Sequence, residues 1–273
     1  MHKLSLVDET FDSNLTFEYN LSIQLSLDGF SFSILDLLQN KVVYLYYQEI
    51  FDSKPEFVLK NLQEIYEKSD LLNLAYKNTK ICFANSSKQQ LIPSSFFNEN
   101  YINCYQQLAF SKTEAHHNHH IDLPTHKLKL VVSTPEIIFQ FFQEKHPQSF
   151  CNTNIAIWAN QFTEFRQAAF ISISKREVSI LLFNDAGLCS ASSFPWYYES
   201  DLLFFILGSI NKCSSPVKQI VLSGIVNKFS YIYHQLKSYC NKVSIQERSN
   251  QIYYSYLLDK LPDARFNDLF CNL

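Results

Sequence analysis

The segment Leu21-Ser22-Ile23-Gln24-Leu25-Ser26-Leu27-Asp28-Gly29-Phe30-Ser31-Phe32-Ser33-Ile34 carries the clearest local signal in the sequence. Apolar and polar residues alternate on both sides of Asp28-Gly29, as in two strands that each bury one face. An Asp-Gly pair between two such runs strongly indicates a two-residue hairpin turn. The pattern therefore predicts a β-hairpin with three apolar cross-strand pairs on one face: Leu27 with Phe30, Leu25 with Phe32 and Ile23 with Ile34.

The elements around this hairpin occur twice along the chain. In the first half the pattern predicts a third strand at 41–50, a helix over Val58–Tyr66, a strand at 79–84, a helix over Ser94–Leu108, a strand at 127–132 and a helix that begins at Thr134-Pro135-Glu136. In the second half it predicts strands at 169–174, 177–183 and 188–194, a helix near Ser200 and a strand at 218–223. An alignment of the halves puts Ser172 on Ser26. The repeated order predicts a duplicated α/β lobe, with residues 1–165 as the first lobe, which contains an insertion, and 166–273 as the second.

The composition excludes several classes of function. The 273 residues are 47% hydrophobic and 18% charged, which is typical of a folded globular protein. A net charge of −3 argues against a basic surface for nucleic acid, so no nucleic-acid partner is expected. The chain has four glycines and contains neither a G-x-x-x-x-G-K-[ST] nor a G-x-G-x-x-G phosphate-binding loop.

The cysteines and the apolar runs indicate the compartment. Seven cysteines, an odd number, are widely spaced and form no C-x-x-C pair, as is typical of free thiols in a reducing environment. Acidic residues follow the N-terminus too closely for a signal peptide, and the longest apolar runs are too short to cross a bilayer. We therefore expect a cytoplasmic protein without membrane insertion.

The duplicated order resembles the layout of the actin-like ATPases, which consist of two ribonuclease-H-like lobes. The hairpin segment Leu21–Ile34 is also similar to the N-terminal hairpin of a functionally uncharacterised bacterial family for which this fold is predicted. The resemblance implies an α/β fold of duplicated ribonuclease-H-like lobes, with mixed sheets flanked by helices. It implies no established activity.

The resemblance also indicates where a nucleotide would bind. Superfamily members that hydrolyse ATP have an acidic residue at the end of the first strand, glycines in the next turn, an equivalent arrangement in the second lobe, and a Gly-Gly pair beside the adenosine. In this sequence Ser26 stands at the first position and Ile173–Glu177 supplies no glycine at the second. At the third, Gly224 is followed by the β-branched Ile225, which obstructs close approach of a ligand to the backbone. These departures predict a pseudo-ATPase, a non-catalytic scaffold or adaptor that needs no cofactor and acts on a protein partner.

The alternative is an ATP-binding phosphotransferase or ATPase with an atypical site between the lobes. Asp28 would hold Mg²⁺ in this reading, although an aspartate before glycine is also ordinary turn chemistry. The candidate cofactor-binding residues are Asp28, Gly29, Ser223 and Gly224. A ribonuclease-H-like nuclease is disfavoured, because it needs several carboxylates on the central strands and the predicted strands at 21–27, 169–174 and 218–223 contain none.

Four histidines form a dense group of candidate metal ligands, namely His116, His117, His119 and His120. Imidazole binds zinc, nickel and copper. In a helix His116 and His120 would share a face, whereas in a strand His117 and His119 would. No cysteine lies nearby and no H-E-x-x-H pattern frames the group, so the interpretation we favour is a polar surface loop between Ala115 and Ile121 that binds metal only incidentally.

Overall fold

The computed structural model describes residues 3–52, 54–84, 88–109, 115–262 and 264–272. Within these ranges the strands are β1 (Lys3–Val7), β2 (Tyr19–Ser26), β3 (Gly29–Asp36), β4 (Lys41–Glu49), β5 (Asn78–Ala84), β6 (Lys88–Pro93), β7 (His116–Leu123), β8 (Leu128–Pro135), β9 (Phe150–Asn152), β10 (Ala168–Ile173), β11 (Glu177–Asn184), β12 (Gly187–Pro195), β13 (Gln219–Gly224), β14 (Lys242–Ile245) and β15 (Tyr253–Tyr254). The α-helices are α1 (Pro55–Glu67), α2 (Ile102–Ala109), α3 (Glu136–Lys145), α4 (Asn154–Gln161), α5 (Glu199–Asn211), α6 (Tyr231–Tyr239) and α7 (Asn267–Cys271).

The first lobe is built on a sheet with the strand order β1-β4-β3-β2-β5-β9, to which β15 adds beside β4. Strands β2, β3 and β4 form an antiparallel meander, and β5 and β9 continue the sheet parallel to β2. Helices α1 and α3 pack together on one face, where Leu62 and Phe142 join the apolar side chains of the sheet in one core. The alternating sequence of β2 and β3 supplies this face.

The second lobe repeats this arrangement on a sheet with the order β12-β11-β10-β13-β14. Strands β10, β11 and β12 form the meander, and β13 and β14 run parallel to β10. Helices α5 and α6 supply Leu202, Ile206 and Leu236 to the core on one face of the sheet. The predicted duplication is confirmed, as is the α/β fold of mixed sheets flanked by helices.

The first hairpin turns one residue earlier than predicted, because Leu27-Asp28 connects Ser26 to Gly29. The observed pairs are Leu25 with Phe30, Ile23 with Phe32 and Leu21 with Ile34, so the predicted pairs were wrong by two positions along one strand. Side chains alternate with a period of two, and a shift of two keeps the same residues on the same face. The alternation alone could not distinguish these registers.

Gly29 is required by a close contact rather than by the turn. It begins β3 opposite Glu49 with φ of +149°, a value that favours glycine. A Cβ atom at this position would collide with the carbonyl oxygen of Gln48. Leu27 and Asp28, which form the turn, both have ordinary negative φ.

The second hairpin has the same construction and corrects the internal alignment. The N–H of Ser174 donates to the carbonyl oxygen of Glu177 at 2.9 Å, so Lys175-Arg176 forms the turn. Ser174 is therefore the equivalent of Ser26, and the alignment of Ser172 with Ser26 was wrong by two residues. Lys175-Arg176 corresponds to Leu27-Asp28.

An insertion between β5 and α3 forms a separate antiparallel sheet in the order β6-β8-β7. The helix predicted for Ser94–Leu108 is shorter, since α2 begins at Ile102. A single 3-10 turn at Glu99–Tyr101 precedes it and is capped by the Asn98 side chain, which accepts from the N–H of Asn100. The strand β6 was not predicted.

The chain crosses between the lobes twice. Helix α4 follows β9 and leads to β10, and its Trp158 packs on Phe170 in a core shared by both sheets. After β14 the chain returns to the first sheet, where β15 pairs with β4 and α7 lies against β2 and β3. The lobe boundary at residues 165 and 166 stays a prediction. Across the described ranges, every helix is too short or too polar to span a bilayer.

The cleft between the two lobes

The turns of the two equivalent hairpins meet at the cleft between the lobes. One carboxylate oxygen of Asp28, in the first turn, accepts a hydrogen bond from the backbone N–H of Lys175, in the second, at 2.8 Å. The Lys175 ammonium pairs with the Glu49 carboxylate, at the end of β4, at 2.6 Å. Both contacts join the lobes at the position where the resemblance places the phosphates of a nucleotide.

The floor of the cleft is formed by the carboxyl ends of the parallel strands, where ligands bind in open α/β sheets. Ser26, Ala84, Ile173 and Gly224 end the strands β2, β5, β10 and β13 and line a common cavity. Gly224 has φ of +89°, and a Cβ atom there would collide with the carbonyl oxygen of Ile173. This glycine is therefore explained by packing between neighbouring strands.

A segment near the end of the described chain, Ala264–Asp268, lines the cleft beside these strand ends. The carbonyl oxygen of Ala264 accepts from the N–H of Gly224 at 3.3 Å and from the hydroxyl of Ser223 at 3.4 Å. The Phe266 ring makes an edge contact with the Tyr47 ring at a centroid distance of 5.6 Å. We call residues 264–268 the cleft segment.

The cleft segment is anchored by α7, which begins within it. The indole N–H of Trp158 donates to the carboxyl of Asp268 at 2.6 Å, and burial raises the pKa of Asp268 to about 6. At the next residue, the buried hydroxyl of Ser22 donates to the carbonyl oxygen of Leu269 at 2.9 Å. These contacts fix the segment to β2 and to α4.

Little space remains beside the cleft segment. The cavity that Asp28, Lys175 and Gly224 line with Arg265 and Phe266 has a volume of about 100 Å³. Small-molecule sites commonly have volumes of about 300–1,000 Å³. The cavity in the cleft is thus smaller than a typical small-molecule site.

Burial is the main influence on the titratable groups around the two turns. It raises the pKa of Asp28, while the N–H of Lys175 and the charges of Arg176 and Lys175 oppose the rise. Burial also raises the pKa of Tyr47, whose hydroxyl donates to the Asp28 carbonyl oxygen, to about 12. The pKa of Glu177 rises to about 7 because the carboxyl is buried and the Asp28 charge is near. Burial around the two turns therefore disfavours the charged forms of these three groups.

Three of the four candidate cofactor-binding residues line the same cavity, namely Asp28, Ser223 and Gly224. Gly29 lies beside them, with its Cα against the backbone of β4. Glu49 and the cleft segment also belong to this site and were not predicted. No sequence pattern connects Glu49 with Lys175, which lies 126 residues away, or the cleft segment with Gly224.

The prediction of a polar surface loop for the histidine segment was wrong, because all four candidate metal ligands lie on β7, which pairs with β8 along its length, and they point to opposite faces of the strand. His117 stacks on Phe139 with the ring centroids 3.7 Å apart, whereas His120 packs against Phe97. Both ring nitrogens of His119 are buried without a hydrogen bond, and burial lowers its pKa to about 4. Among the residues that the structure describes, no three His, Cys, Asp or Glu side chains are placed to hold a metal ion. A cavity of about 610 Å³ adjoins His117 and His119, outside the cleft.

Solved structures with similar folds place the chain in the actin-like ATPase fold. A Bacteroides thetaiotaomicron protein described as having an actin-like ATPase fold and unknown function is similar with a TM-score of 0.81 and 20% identity, over 97% of this chain and 99% of that chain. A chain of the PilM–PilN type IV pilus biogenesis complex is similar with a TM-score of 0.58 and 10% identity, over 93% and 97%. Comparison with functionally curated proteins gives no match. The chain belongs to the family described as protein of unknown function DUF3822, whose model matches residues 8–243.

Proposed function

We infer that this protein is a pseudo-ATPase, a non-catalytic cytoplasmic scaffold or adaptor that works through contacts with another protein. The observation that carries this proposal is the cleft segment, because it lines the cavity at the carboxyl ends of the parallel strands, where we would expect an actin-like ATPase to hold its nucleotide. A polypeptide segment anchored by buried hydrogen bonds competes with any ligand for that space.

Hydrogen bonds within the chain engage several polar groups of the cleft, which supports the same proposal, whereas Oδ1 of Asp28 and Oε1 of Gln24 are buried without a hydrogen-bond partner among the described residues. Asp28 accepts from Lys175, and the N–H of Gly224 donates to Ala264. A triphosphate needs N–H donors, cationic side chains or a metal to satisfy its charge. To bind here it would have to break these contacts and place its charge beside the desolvated Asp28 carboxyl.

Exposed aromatic side chains on the second lobe support a role in protein binding. Tyr197, Tyr198 and Phe204, at the start of α5, and Phe229, just before α6, are largely exposed. Aromatic residues are enriched at protein interfaces. The likeness to a chain of the PilM–PilN complex is one of fold, and it adds that this fold occurs in an assembly of two proteins.

The alternative is an ATP-binding phosphotransferase or ATPase whose cleft opens when the cleft segment moves. Lys175 and Arg176, at the second turn, favour it as the cationic groups nearest to Asp28. In this alternative Asp28 binds Mg²⁺ and Gly224 lies near the base. Displacement of Phe266 from Tyr47 would then precede binding.

Calorimetry with ATP and Mg²⁺ separates the two proposals. We expect the wild-type protein to bind no tighter than about 1 mM, which corresponds to roughly −4 kcal/mol. The double variant Arg265→Ala/Phe266→Ala, which loosens the cleft segment and leaves α7 in place, should behave in the same way. Phe229→Ala is the matched control, since it removes an exposed phenylalanine outside the cleft. Micromolar binding that Asp28→Ala abolishes would reject the pseudo-ATPase and support the alternative.

Affinity capture from the native host tests the adaptor role. The bait is the whole chain, compared with a triple variant in which Tyr197, Tyr198 and Phe204 are replaced by alanine. We expect one partner to be retained by the wild type and lost by the variant, with both baits equally folded by circular dichroism. Equal capture by both would show that the aromatic surface is not the contact.

A further inference from the structure

Two cysteines lie together on the surface of the second lobe, away from the cleft. Cys189 is exposed on β12, and Cys213 is partly exposed just after α5. Their sulfur atoms are 4.0 Å apart. We propose that Cys189 and Cys213 form a reversible disulfide by exchange with a small-molecule disulfide of the oxidised glutathione type.

The distance between the sulfurs allows the bond to form with a small movement. A disulfide has a sulfur–sulfur distance of about 2.0 Å, so each side chain must shift by about 1 Å. The two residues are far apart in sequence, and the fold brings them together. Solvent exposure gives a small oxidant access to both.

Hydrogen bonds hold the two segments that carry the cysteines against each other. The hydroxyl of Ser215, two residues after Cys213, donates to the carboxylate of Asp185 at 2.7 Å. The side-chain amide of Asn184 donates to the hydroxyl of Ser214 at 3.4 Å. Asn184 and Asp185 belong to the turn that leads into β12. The sulfurs are thus held near each other by neighbouring contacts, which raises their effective concentration.

The surroundings of the two thiols indicate the order of the exchange. Cys189 donates to the carbonyl oxygen of Leu182 at 3.2 Å, and burial together with the adjacent Cys213 raises its pKa to about 11. Because the Cys189 thiol is held in this hydrogen bond, we take Cys213 as the thiol that attacks first. Its thiolate breaks the sulfur–sulfur bond of oxidised glutathione, and one glutathione leaves with the thiol proton.

The second step closes the bridge. The thiolate of Cys189 attacks the Cys213 sulfur of the mixed disulfide, and the second glutathione leaves with the Cys189 proton. Two cysteine thiols are oxidised, and one oxidised glutathione is reduced to two thiols. Excess thiol reverses both steps.

The Cys189–Cys213 disulfide would stabilise the contact between the second lobe and the insertion. Next to Cys189, the N–H of Leu188 donates to Nδ1 of His126 at 3.3 Å. Nε2 of His126 lies 2.9 Å from the carbonyl oxygen of Ala159 in α4. A covalent tie at Cys189 fixes the strand that makes this contact and restricts the unfolded chain. The oxidised protein should therefore melt at a higher temperature than the reduced protein.

The test is incubation of the folded, full-length protein with mixtures of oxidised and reduced glutathione, followed by alkylation and mass spectrometry. We expect the loss of two of the seven free thiols, a Cys189–Cys213 peptide after proteolysis, and full recovery with dithiothreitol. Cys189→Ser and Cys213→Ser should each abolish the bridge and the rise in melting temperature. Cys104→Ser, at an exposed cysteine, should change neither. A stable glutathione adduct on Cys213, a bridge between other cysteines, or no oxidation at all would overturn the proposal.

Discussion

The carboxylate of Asp28 accepts a hydrogen bond from the backbone N–H of Lys175, and the two residues occupy equivalent turns of the two lobes. The contact connects the two lobes across the cleft. Asp28 therefore binds another part of the same chain, at the position where the resemblance predicts the phosphates of a nucleotide. Three measurements on single variants follow from this contact and its neighbours, and a fourth concerns the insertion.

Replacement of Asp28 tests the contact between the turns. Asp28→Ala leaves the Lys175 N–H without its acceptor and should lower the free energy of unfolding by about 1–2 kcal/mol. Asp28→Asn keeps an acceptor oxygen and removes a carboxyl whose pKa is raised by burial, so it should cost less than about 0.5 kcal/mol. Urea unfolding of both variants measures the difference. Equal losses would assign the stability to charge rather than to the hydrogen bond.

Replacement of Gly29 tests the contact between β3 and β4. Gly29→Val introduces a Cβ atom into the Gln48 carbonyl and a branched residue at positive φ, so it should lower the free energy of unfolding by more than about 1 kcal/mol. Gly208→Ala is the matched control. Gly208 lies in α5 with no atom within 4 Å of an added Cβ, and alanine should stabilise the helix by about 0.5–1 kcal/mol. An unchanged free energy of unfolding in Gly29→Val would show that Gly29 does not lie against the backbone of β4.

The raised pKa of Glu177 predicts that the folded protein loses stability as the pH rises. Its pKa is about 7 in the folded protein, against an ordinary value of 4.5, so the folded state holds the proton more tightly. The stability from this group is complete below about pH 4.5 and is lost as the pH rises through 7. Glu177→Gln removes the effect. The free energy of unfolding of this variant, relative to that of the wild type, should therefore increase by about 2–3 kcal/mol from pH 4.5 to pH 7.5. A constant difference across this range would contradict the buried, protonated carboxyl.

His119 predicts the opposite dependence at acid pH. Burial lowers its pKa from 6.5 to about 4, so the stability from the neutral ring is present above pH 6.5 and is lost as the pH falls toward 4. His119→Leu should therefore be stabilising, by about 2 kcal/mol more at pH 5 than at pH 7.5. The exposed His234→Leu serves as the control. Stabilisation of the wild type by added zinc, lost in His119→Leu, would instead support a metal site.

The hairpins and their duplication could be predicted from the sequence because they rest on local patterns. Alternation over Leu21–Ile34 places the apolar residues on one face, and the order of the elements repeats. The register of the hairpin could not be predicted, because pairing Leu25 with Phe30 or with Phe32 buries the same face. The cleft segment could not be predicted either, since the contact between Ala264 and Gly224 depends on the return of the chain to the first lobe.

That return limits how the lobes can move. The backbone passes between the lobes twice, once after α4 and once after β14. Two covalent crossings define a single axis about which one lobe can rotate relative to the other. Residues 264–272 lie off those crossings, held to β2 by Ser22 and to α4 by Trp158. These residues limit how far the two lobes can separate. Any wide swing that opened the cleft would have to break the hydrogen bonds of Ala264 with Gly224 and Ser223 together with that of Asp28 with Lys175, so the lobes are held at one angle by three separate contacts.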